Sequence, residues 1–560
     1  MENTQLIGES RTENHRFPVR LTLLAIIVLF YIAVGLYSQR RQFDPDEFMH
    51  LHASWSIHKG LIPYRDYFDH YTPLFRLFFA PLFHLFRVET DIQDAIGFMF
   101  FARKVEWLIS GAVVLLTFWL GKLWRNVETG LVSALFLVTT EAYWNLALEV
   151  RPDPLSTAFG LLSLILLLRA VQAVDDLHVR RFRMFWSGFF LALGFLTIQK
   201  TVYGFPGFAL GMCWYIWKPL GNSTRAARVA DVVIQFLGFC FPMVLTFSFF
   251  YLQHGWPQFV RYNFLFYLGG LHDSYVLPLM QFLYSDPFLA IFGLAGMLMS
   301  LSAIFRKSLP GRGDFIVGPV AFSFIAGVFF IPTPYYQYYI QFLPLVSVLA
   351  ASFLYDAIDK FMSYRTSARS GQLAALAALA SAVLLLLLIL ISWNSGTQRP
   401  LILVIGFWFS AFLGSTFLVS RRIPALAILL LMAVTSAAPS WRLLHSLSNP
   451  AATPEFEEMG FILANTSPSD TVMDGYQGSG IFRPHAYFYW YMPYNDRTRI
   501  PMNERDQLLQ DLISGAIAPR LVLYDINLQN LTPAVSKFIE DNYERSGIGT
   551  IWKRKTSVSN

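Results

Sequence analysis

The segment that decides the fold is FDPDEFMHLHASWSIHKGLIPYRDYFDHYTPLFRLFF, residues 43–79. It follows an apolar run, 22–38, that is long enough to span a membrane. The segment contains five acidic residues and four histidines. Ionisable groups this close to a bilayer are costly, and they are typical of functional sites. The chain therefore concentrates titratable groups immediately outside its first predicted span.

The composition indicates an integral membrane protein. Of its 560 residues, 55% are hydrophobic and 14% are charged, whereas soluble domains contain roughly 25% charged residues. The net charge of +6 fits basic cytoplasmic loops and does not indicate nucleic-acid binding. The two cysteines, Cys213 and Cys240, exclude a disulfide framework and a cysteine-rich metal site. The polar N-terminus does not resemble a signal peptide.

Hydropathy predicts about thirteen membrane spans of mostly apolar residues. They are 22–38, 97–121, 131–148, 155–172, 184–200, 203–218, 231–251, 287–305, 314–331, 340–357, 371–393, 400–420 and 423–441. These spans are nearly free of central charge, and the sequence has no internal repeat. The prediction is an all-α polytopic membrane protein.

The distribution of Lys and Arg predicts the orientation, because basic residues are retained on the cytoplasmic side. A cytoplasmic N-terminus gives every inner loop more basic residues than its outer neighbours. The short outer loops then contain only Arg151, Lys200, Arg261 and Arg399. An odd number of spans places the C-terminus outside, and we expect a bacterial inner membrane.

Two regions are predicted to lie outside the membrane: a first outer loop, 39–96, and a C-terminal region, 442–560. The predicted domains are a transmembrane catalytic domain, 1–441, and a small periplasmic α/β domain, 442–560. Strand-like runs in the second domain are DTVMDGY (470–476), HAYFYWYM (485–492) and RLVLYDI (520–526). PAVSKFIEDNYERSG (533–547) is predicted to be a helix that ends at glycine.

The first outer loop contains two predicted interfacial helices. Phe48, Leu51 and Trp55 fall on one face of a helix over 47–58, which suits a helix lying in the membrane surface. The run 74–86 is too short to span and is broken by proline. A loop with its own interfacial helices can cover a cavity between the spans.

Three further outer segments carry polar groups at the same predicted level: EVRPDPL (149–155), QKTVYG (199–204) and PTPYYQYYIQFLP (332–344). Arg151 and Lys200 are fixed cations that could hold a phosphate at the membrane surface. Carboxylates of the first loop could accept a proton from a hydroxyl group. The tyrosines of 332–344 suit stacking on a sugar, although an interfacial tyrosine belt explains them equally well.

These motifs resemble the GT-C membrane glycosyltransferases, and in particular the group of aminoarabinose transferase and the dolichyl-phosphate-mannose–protein mannosyltransferases. The resemblance rests on the acidic pair at 46–47, the glycine at 60, PYRDYF (63–68) and TPLF (72–75). Family members often have PPL where this chain has TPL. The outer segments that carry Arg151, Lys200 and the tyrosines are similar to later segments of the family.

The resemblance implies single-displacement transfer, with inversion, of a sugar from a polyprenyl phosphate to a hydroxyl of a glycolipid, polysaccharide or protein. Asp46 would be the base, and Glu47 would orient it or the acceptor. Lys200, Arg151 and Arg65 would hold the donor phosphate. The candidate acceptor- or sugar-binding residues are Asp66, Asp69, His50, Asp153, Tyr335, Tyr338 and Gln341. Asp66 and Asp69 could equally fold the loop through hydrogen bonds.

Several alternatives remain open at this stage. A divalent metal is conceivable among the histidines, but His50 and His52 do not share a helical face and no ligand set is assigned. The chain could be a lipid-linked-sugar transporter or flippase, which would predict central charges and repeated halves. It could also be a non-catalytic subunit that binds a lipid-linked glycan. Within the enzyme class, transfer of one sugar and transfer of a whole glycan both fit, and the tail segment 483–497 suits carbohydrate contact as well as a buried strand.

Overall fold

The computed structural model describes residues 2–173, 176–217, 223–266, 282–283, 285–305, 314–331, 335–364, 443, 447 and 453–555. Three predicted spans, at 371–393, 400–420 and 423–441, lie outside these residues, as does the predicted domain boundary at 441/442.

Helices dominate the first part of the described chain. The α-helices up to residue 364 are α1 (Glu2–Ser38), α2 (Pro45–His58), α3 (Leu74–Phe79), α4 (Ile92–Trp124), α5 (Val127–Thr139), α6 (Glu141–Leu146), α7 (Pro152–Gln172), α8 (Leu177–Thr197), α9 (Phe205–Trp217), α10 (Arg225–Leu252), α11 (Trp256–Val260), α12 (Pro287–Phe305), α13 (Asp314–Val328) and α14 (Leu343–Tyr364). Short 3₁₀ segments at Ala80–Leu85, Gln199–Gly204 and Tyr336–Gln341 and a π turn at Arg261–Leu265 join them.

Four helical segments of the described chain are long and apolar enough to cross a membrane: Pro18–Ser38 within α1, α4, α7 and α10. Helices also occupy the other predicted spans as far as 340–357, but the count of about thirteen stays a prediction. The predicted span 131–148 is divided between α5 and α6, which meet at Thr140. The predicted spans are nearly free of central charge, but α4 does contain internal charges, because Arg103 and Glu106 lie within it and both are fully buried.

Close packing joins the long helices into one apolar core. Helix α8 packs against both α7 and α10, and α4 packs against α5 and α7. The contact between α8 and α10 depends on two glycines. A Cβ at Gly188 would lie 1.8 Å from the Gln235 carbonyl oxygen, and one at Gly238 would lie 2.0 Å from the Phe185 carbonyl oxygen. Any larger residue at either position would force the two helices apart.

The C-terminal region contains the helices α15 (Pro454–Asn465), α16 (Tyr494–Arg497), α17 (Met502–Ser514), α18 (Ile526–Gln529) and α19 (Pro533–Asn542). Its strands are β1 (Val472–Asp474), β2 (Leu521–Leu523), β3 (Tyr543–Arg545) and β4 (Ile551–Arg554), in the sheet order β1-β2-β4-β3. Strands β1 and β2 pair in parallel, with Met473 opposite Val522, and the other two pairs are antiparallel. The predicted α/β character of this region is therefore present.

Two local predictions for this region were wrong. Residues 485–492 are not a strand, because their backbone pairs with other partners: Phe68 N donates to Phe488 O, and Met492 N donates to Gly475 O. The predicted helix over 533–547 ends at Asn542, and the next residues form β3 against β4. Pairing with distant segments decides the backbone conformation of 485–492, whereas a local hairpin between β3 and β4 ends the helix at Asn542.

The first loop is helical where predicted, but its main helix is not at a lipid surface. Phe48, Leu51 and Trp55 are buried in one apolar cluster together with Ile481 and Phe482 of the C-terminal region. The C-terminal region therefore covers α2, and the prediction of an interfacial helix was wrong for this element. The second predicted helix, 74–86, does retain exposed apolar side chains, at Leu77, Phe78 and Leu85.

Candidate active site

Asp46 and Arg151 form the centre of the site. Asp46 lies in the first turn of α2, and Arg151 directly precedes α7. Arg151 Nη1 donates to Asp46 Oδ2 at 2.6 Å, and its Nη2 donates to Asp44 Oδ1 at 3.1 Å. The Arg151 Nε atom also donates to Glu149. One buried guanidinium therefore serves three carboxylates, and a second arginine, Arg41, also pairs with Glu149.

The environment keeps Asp46 ionised. Burial alone would raise its pKa, but the Arg151 charge and a hydrogen bond from the Tyr491 hydroxyl lower the pKa of Asp46 below its usual value. Burial and the nearby Asp46 charge have the opposite net result for Asp44, and its pKa is raised to about 6. The pKa values of the two neighbouring acids therefore differ: Asp46 is the stronger acid, and its carboxylate form persists at neutral pH.

Glu47 is a structural residue rather than a free carboxylate. Arg103 donates to it twice, at 2.6 and 2.9 Å, and both side chains are fully buried. Glu47 also accepts backbone N–H bonds from Asp44 at 3.0 Å and Val150 at 3.1 Å. Burial opposes its ionisation, but the Arg103 charge lowers the pKa of Glu47 below its usual value. Glu47 therefore joins α2 to α4 and to the turn that carries Arg151.

Lys200 is the second cation of the site. Its Nζ atom lies 4.0 Å from Asp153 Oδ1 and 3.3 Å from the centroid of the Tyr338 ring. Burial disfavours the ammonium form and lowers the pKa of Lys200 to about 8. Three residues predicted from three separate outer segments, Asp153, Lys200 and Tyr338, are thus brought together.

Two histidines of the first loop, His50 and His70, favour the neutral form because they are buried. His50 is buried with its ring against Tyr71 and Phe75, at centroid distances of 5.1 and 5.5 Å. Burial and the Arg76 charge hold the pKa of His50 well below 6.5, and burial lowers the pKa of His70 to about 3. Within the described ranges, no three His, Cys, Asp or Glu side chains converge as a metal site.

Several predicted residues lie elsewhere or make other contacts. Arg65 and Asp66 pair with each other at the surface, at 2.7 Å, and the contacts of neither include Asp46 or Lys200. Asp69 accepts from Tyr71 N and pairs with buried Arg76, 3.0 Å away, so its contacts are those of a residue that folds the loop. The Tyr335 side chain is largely exposed.

Gln341 lies at the polar end of a small cavity between α7, α8, α9, α13 and α14. Its amide donates to the Ser156 hydroxyl at 3.4 Å. The rest of the wall is mainly apolar, with Leu164, Leu191 and Phe208 among its side chains. The cavity wall also includes Thr201, the residue next to Lys200 in the sequence.

The sequence did not identify five residues that complete the site: Glu149, Arg103, Arg76, Tyr491 and Asp496. Glu149 begins the outer segment EVRPDPL, in which Arg151 and Asp153 were the predicted site residues. Arg103 lies within an apolar run that is predicted to span the membrane. A charge at that depth is itself a sequence signal for a functional or paired residue. The others have ordinary local sequence, and only the tertiary structure brings them to the first loop.

Comparison with known proteins identifies the fold. No family model matches the chain, and no curated protein sequence matches it. The crystal structure of ArnT from Cupriavidus metallidurans bound to undecaprenyl phosphate is similar over 96% of this chain and 98% of that one, with 14% identity and a TM-score of 0.59.

The oligosaccharyltransferase from Archaeoglobus fulgidus, in its apo form, matches 96% of this chain and 75% of its own, with 12% identity and a TM-score of 0.56. The archaeal oligosaccharyltransferase AglB, in complex with an inhibitory peptide and a dolichol-phosphate, has a TM-score of 0.52 with 11% identity over 96% of this chain and 74% of its own. These similarities extend from the first helix to the C-terminal region. The chain therefore has the fold of the GT-C membrane glycosyltransferases.

Proposed function

We propose that the protein transfers a hexosyl or pentosyl group from a polyprenyl-phosphate donor to a hydroxyl group on the outer face of a bacterial inner membrane. The observation that carries this proposal is the ionised Asp46, which pairs with Arg151 and lies in the same cluster of charges as Lys200. Solved structures with this fold include one bound to undecaprenyl phosphate and one in complex with a dolichol-phosphate. That ligand class supports a lipid-phosphate donor here.

Lys200 is the proposed phosphate-binding cation. Its neighbour in sequence, Thr201, lines the cavity, and its own ion-pair distance to Asp153 is long, at 4.0 Å. Arg151 was expected to share this role, but its guanidinium already donates to three carboxylates. We therefore assign Arg151 to the orientation of Asp46. In this arrangement the donor phosphate meets the flexible ammonium group rather than a guanidinium fixed by other bonds.

The proposed reaction is a single displacement. Asp46 accepts the proton of the acceptor hydroxyl while that oxygen attacks the anomeric carbon. The bond from the anomeric carbon to the phosphate oxygen breaks, and polyprenyl phosphate leaves with the electron pair. The Lys200 ammonium stabilises the charge that develops on the leaving oxygen. Attack opposite the leaving group inverts the anomeric configuration.

The test compares purified wild type with Asp46→Asn, using radiolabelled polyprenyl-phosphate sugars and crude envelope lipid or polysaccharide as acceptor. We expect transfer to fall by about 10²–10⁴-fold in the variant while donor binding is retained. Asp94→Asn is the matched control, because Asp94 is another acid of the first loop and accepts only a loop N–H, from Arg87, among its described contacts. Equal activity of wild type and Asp46→Asn would exclude Asp46 as the base. Wild type that moves lipid-linked sugars across liposomes but transfers none would replace the enzyme with a transporter.

A further inference from the structure

The segment 485–496 of the C-terminal region lies directly on the first loop. The indole Nε1 of Trp490 donates to Phe68 O at 2.9 Å, and Phe68 N donates to Phe488 O at 3.0 Å. Next to these anchors, the hydroxyl of Tyr491 donates to Asp46 Oδ1, across 445 positions of sequence. A side chain of the C-terminal region therefore contacts Asp46, the proposed base.

The position of Tyr491 is fixed on several sides. Its side chain is 6% exposed, and its ring packs against Tyr476 at a centroid distance of 5.0 Å. The following residue, Met492, donates its N–H to Gly475 O at 2.7 Å. Farther along the segment, Asp496 Oδ2 lies 3.7 Å from His70 Nδ1. These contacts hold the phenol in place before any substrate is bound.

We propose that Tyr491 is a positioning residue for transfer, supplied to the catalytic carboxylate by the C-terminal region. This inference rests on the proposed function of Asp46. Arg151 holds Oδ2 and Tyr491 holds Oδ1, so the carboxylate cannot rotate about its Cβ–Cγ bond without losing one of them. Each carboxylate oxygen has two lone pairs, and the remaining lone pair of Oδ1 is then directed at a fixed point for the acceptor hydroxyl.

The Tyr491 bond also makes Asp46 easier to ionise, because hydrogen bonds to an anion stabilise the anion. Other groups act on Asp46 as well, from every element packed around it. They are Arg151, Asp44, Glu149, His70, Lys200, Asp153, Tyr71, Tyr338 and Tyr476. Tyr476 also shares a hydrogen bond with the Tyr491 hydroxyl. Tyr491→Phe therefore removes the hydrogen bonds of one hydroxyl and leaves every charged group around Asp46 in place.

The experiment is the pH dependence of transfer by Tyr491→Phe in the full-length protein. Loss of the donor raises the pKa of Asp46, so the acidic limb of kcat/KM moves to higher pH, by about one unit for one hydrogen bond to a charged group. We expect kcat to fall by about tenfold with little change in the KM for the donor. Tyr489→Phe is the matched control, because its hydroxyl donates to a different carboxylate, Glu504, at 2.6 Å.

A second readout does not depend on activity. The carboxylic-acid stretching band of Asp46 is assigned by infrared difference against Asp46→Asn and titrated in wild type, Tyr491→Phe and Tyr489→Phe. The band should appear at higher pH only in Tyr491→Phe. Incorporation of 3-fluorotyrosine at position 491 keeps the shape of the side chain and makes its hydroxyl a stronger hydrogen-bond donor. The titration of Asp46 should then move to lower pH. This variant provides the same test if Tyr491→Phe does not fold.

The outcomes separate the two proposals. Titrations and pH profiles of Tyr491→Phe that coincide with those of Tyr489→Phe would overturn the positioning role, even if wild type transfers sugar. Wild type without transfer activity would overturn the proposed function, and the infrared titration would still decide whether Tyr491 controls Asp46. A shifted acidic limb together with a shifted band would support the inference.

Discussion

Arg151 donates to Asp44, Asp46 and Glu149, and the environment of this cluster separates the protonation of Asp44 from that of Asp46. Asp44 has a pKa of about 6, raised by burial and by the charge of its neighbour, whereas the pKa of Asp46 is lowered. As the pH falls, Asp44 is neutralised first, and Arg151 is then shared by fewer anions. Asp46 therefore keeps its charge over the range in which Asp44 buffers the site.

We expect donor binding to depend on pH through Lys200, the proposed phosphate-binding cation. Burial lowers its pKa to about 8, so the ammonium form is complete below that pH and is lost as the pH rises through it. Affinity for a polyprenyl phosphate should then weaken by up to about tenfold per pH unit above about pH 8. Binding of radiolabelled polyprenyl phosphate, measured at a series of pH values, checks this.

Lys200→Gln should bind weakly and lose that pH dependence. Lys59→Gln is the control, because Lys59 is an exposed lysine of the first loop that pairs with Glu89 at 2.9 Å. An unchanged pH dependence in Lys200→Gln would assign the titration to another group and remove Lys200 from the phosphate site.

Individual residues also show what sequence could reveal. Asp46, Arg151 and Lys200 were predictable because each is a rare charge at the end of an apolar segment, where only function or pairing offsets the cost of burial. Tyr491 and Asp496 were not, because their contacts join segments far apart in sequence and no local pattern encodes such a pairing. At this scale, the sequence predicted the charges of the site but not all of their partners.

Helix α2 is fixed in place by its first turn. Asp44 accepts from Asp46 N, and Glu47 accepts from Asp44 N, which forms a capping box ahead of the buried helix. Arg103 pairs with Glu47 and also donates to three carbonyl oxygens, those of Ser38, Arg41 and Gln42. Since Asp46 lies in the same turn, the ion pair that holds this element also places the proposed base.

Arg103→Met should therefore cost about 3–5 kcal/mol in the free energy of unfolding, because it leaves the buried Glu47 charge unpaired. The double variant Arg103→Met/Glu47→Gln should recover part of this loss, since glutamine carries no charge and can still accept from Asp44 N. Arg20→Met, which breaks a partly exposed pair with Glu128 at 2.6 Å, should cost only about 0–1 kcal/mol. Unfolding in mixed micelles measures all three. A double variant as unstable as Arg103→Met alone would show that the unpaired charge is not the cause.

At the scale of the whole molecule, the contacts of the first loop constrain the membrane topology. The C-terminal region covers α2 through Ile481, Phe482 and Tyr491, so the two regions must lie on one side of the membrane. Sequence predicted this same-side arrangement from basic residues alone, without any indication that the two regions touch. It could not predict the contact, because apolar surfaces that bury one another leave no specific local pattern.

Helix α4 is long enough to connect the two sides of the membrane. It has 33 residues, which at 1.5 Å per residue is about 50 Å and exceeds a hydrocarbon core of about 30 Å. Lys122, in its last turn, should therefore lie across the membrane from the first loop that precedes its first turn.

Cysteines introduced one at a time test this arrangement in a Cys213→Ser/Cys240→Ser background. Lys59→Cys in the first loop and Lys537→Cys on α19 are both at exposed positions, as is Lys122→Cys. An impermeant maleimide added to intact cells with a permeabilised outer membrane should label the first two and should label the third only after the inner membrane is opened. If positions 59 and 537 were labelled from different sides of the membrane, the Tyr491–Asp46 contact could not form. Labelling of both from the cytoplasmic side would keep that contact and reverse the predicted orientation of the chain.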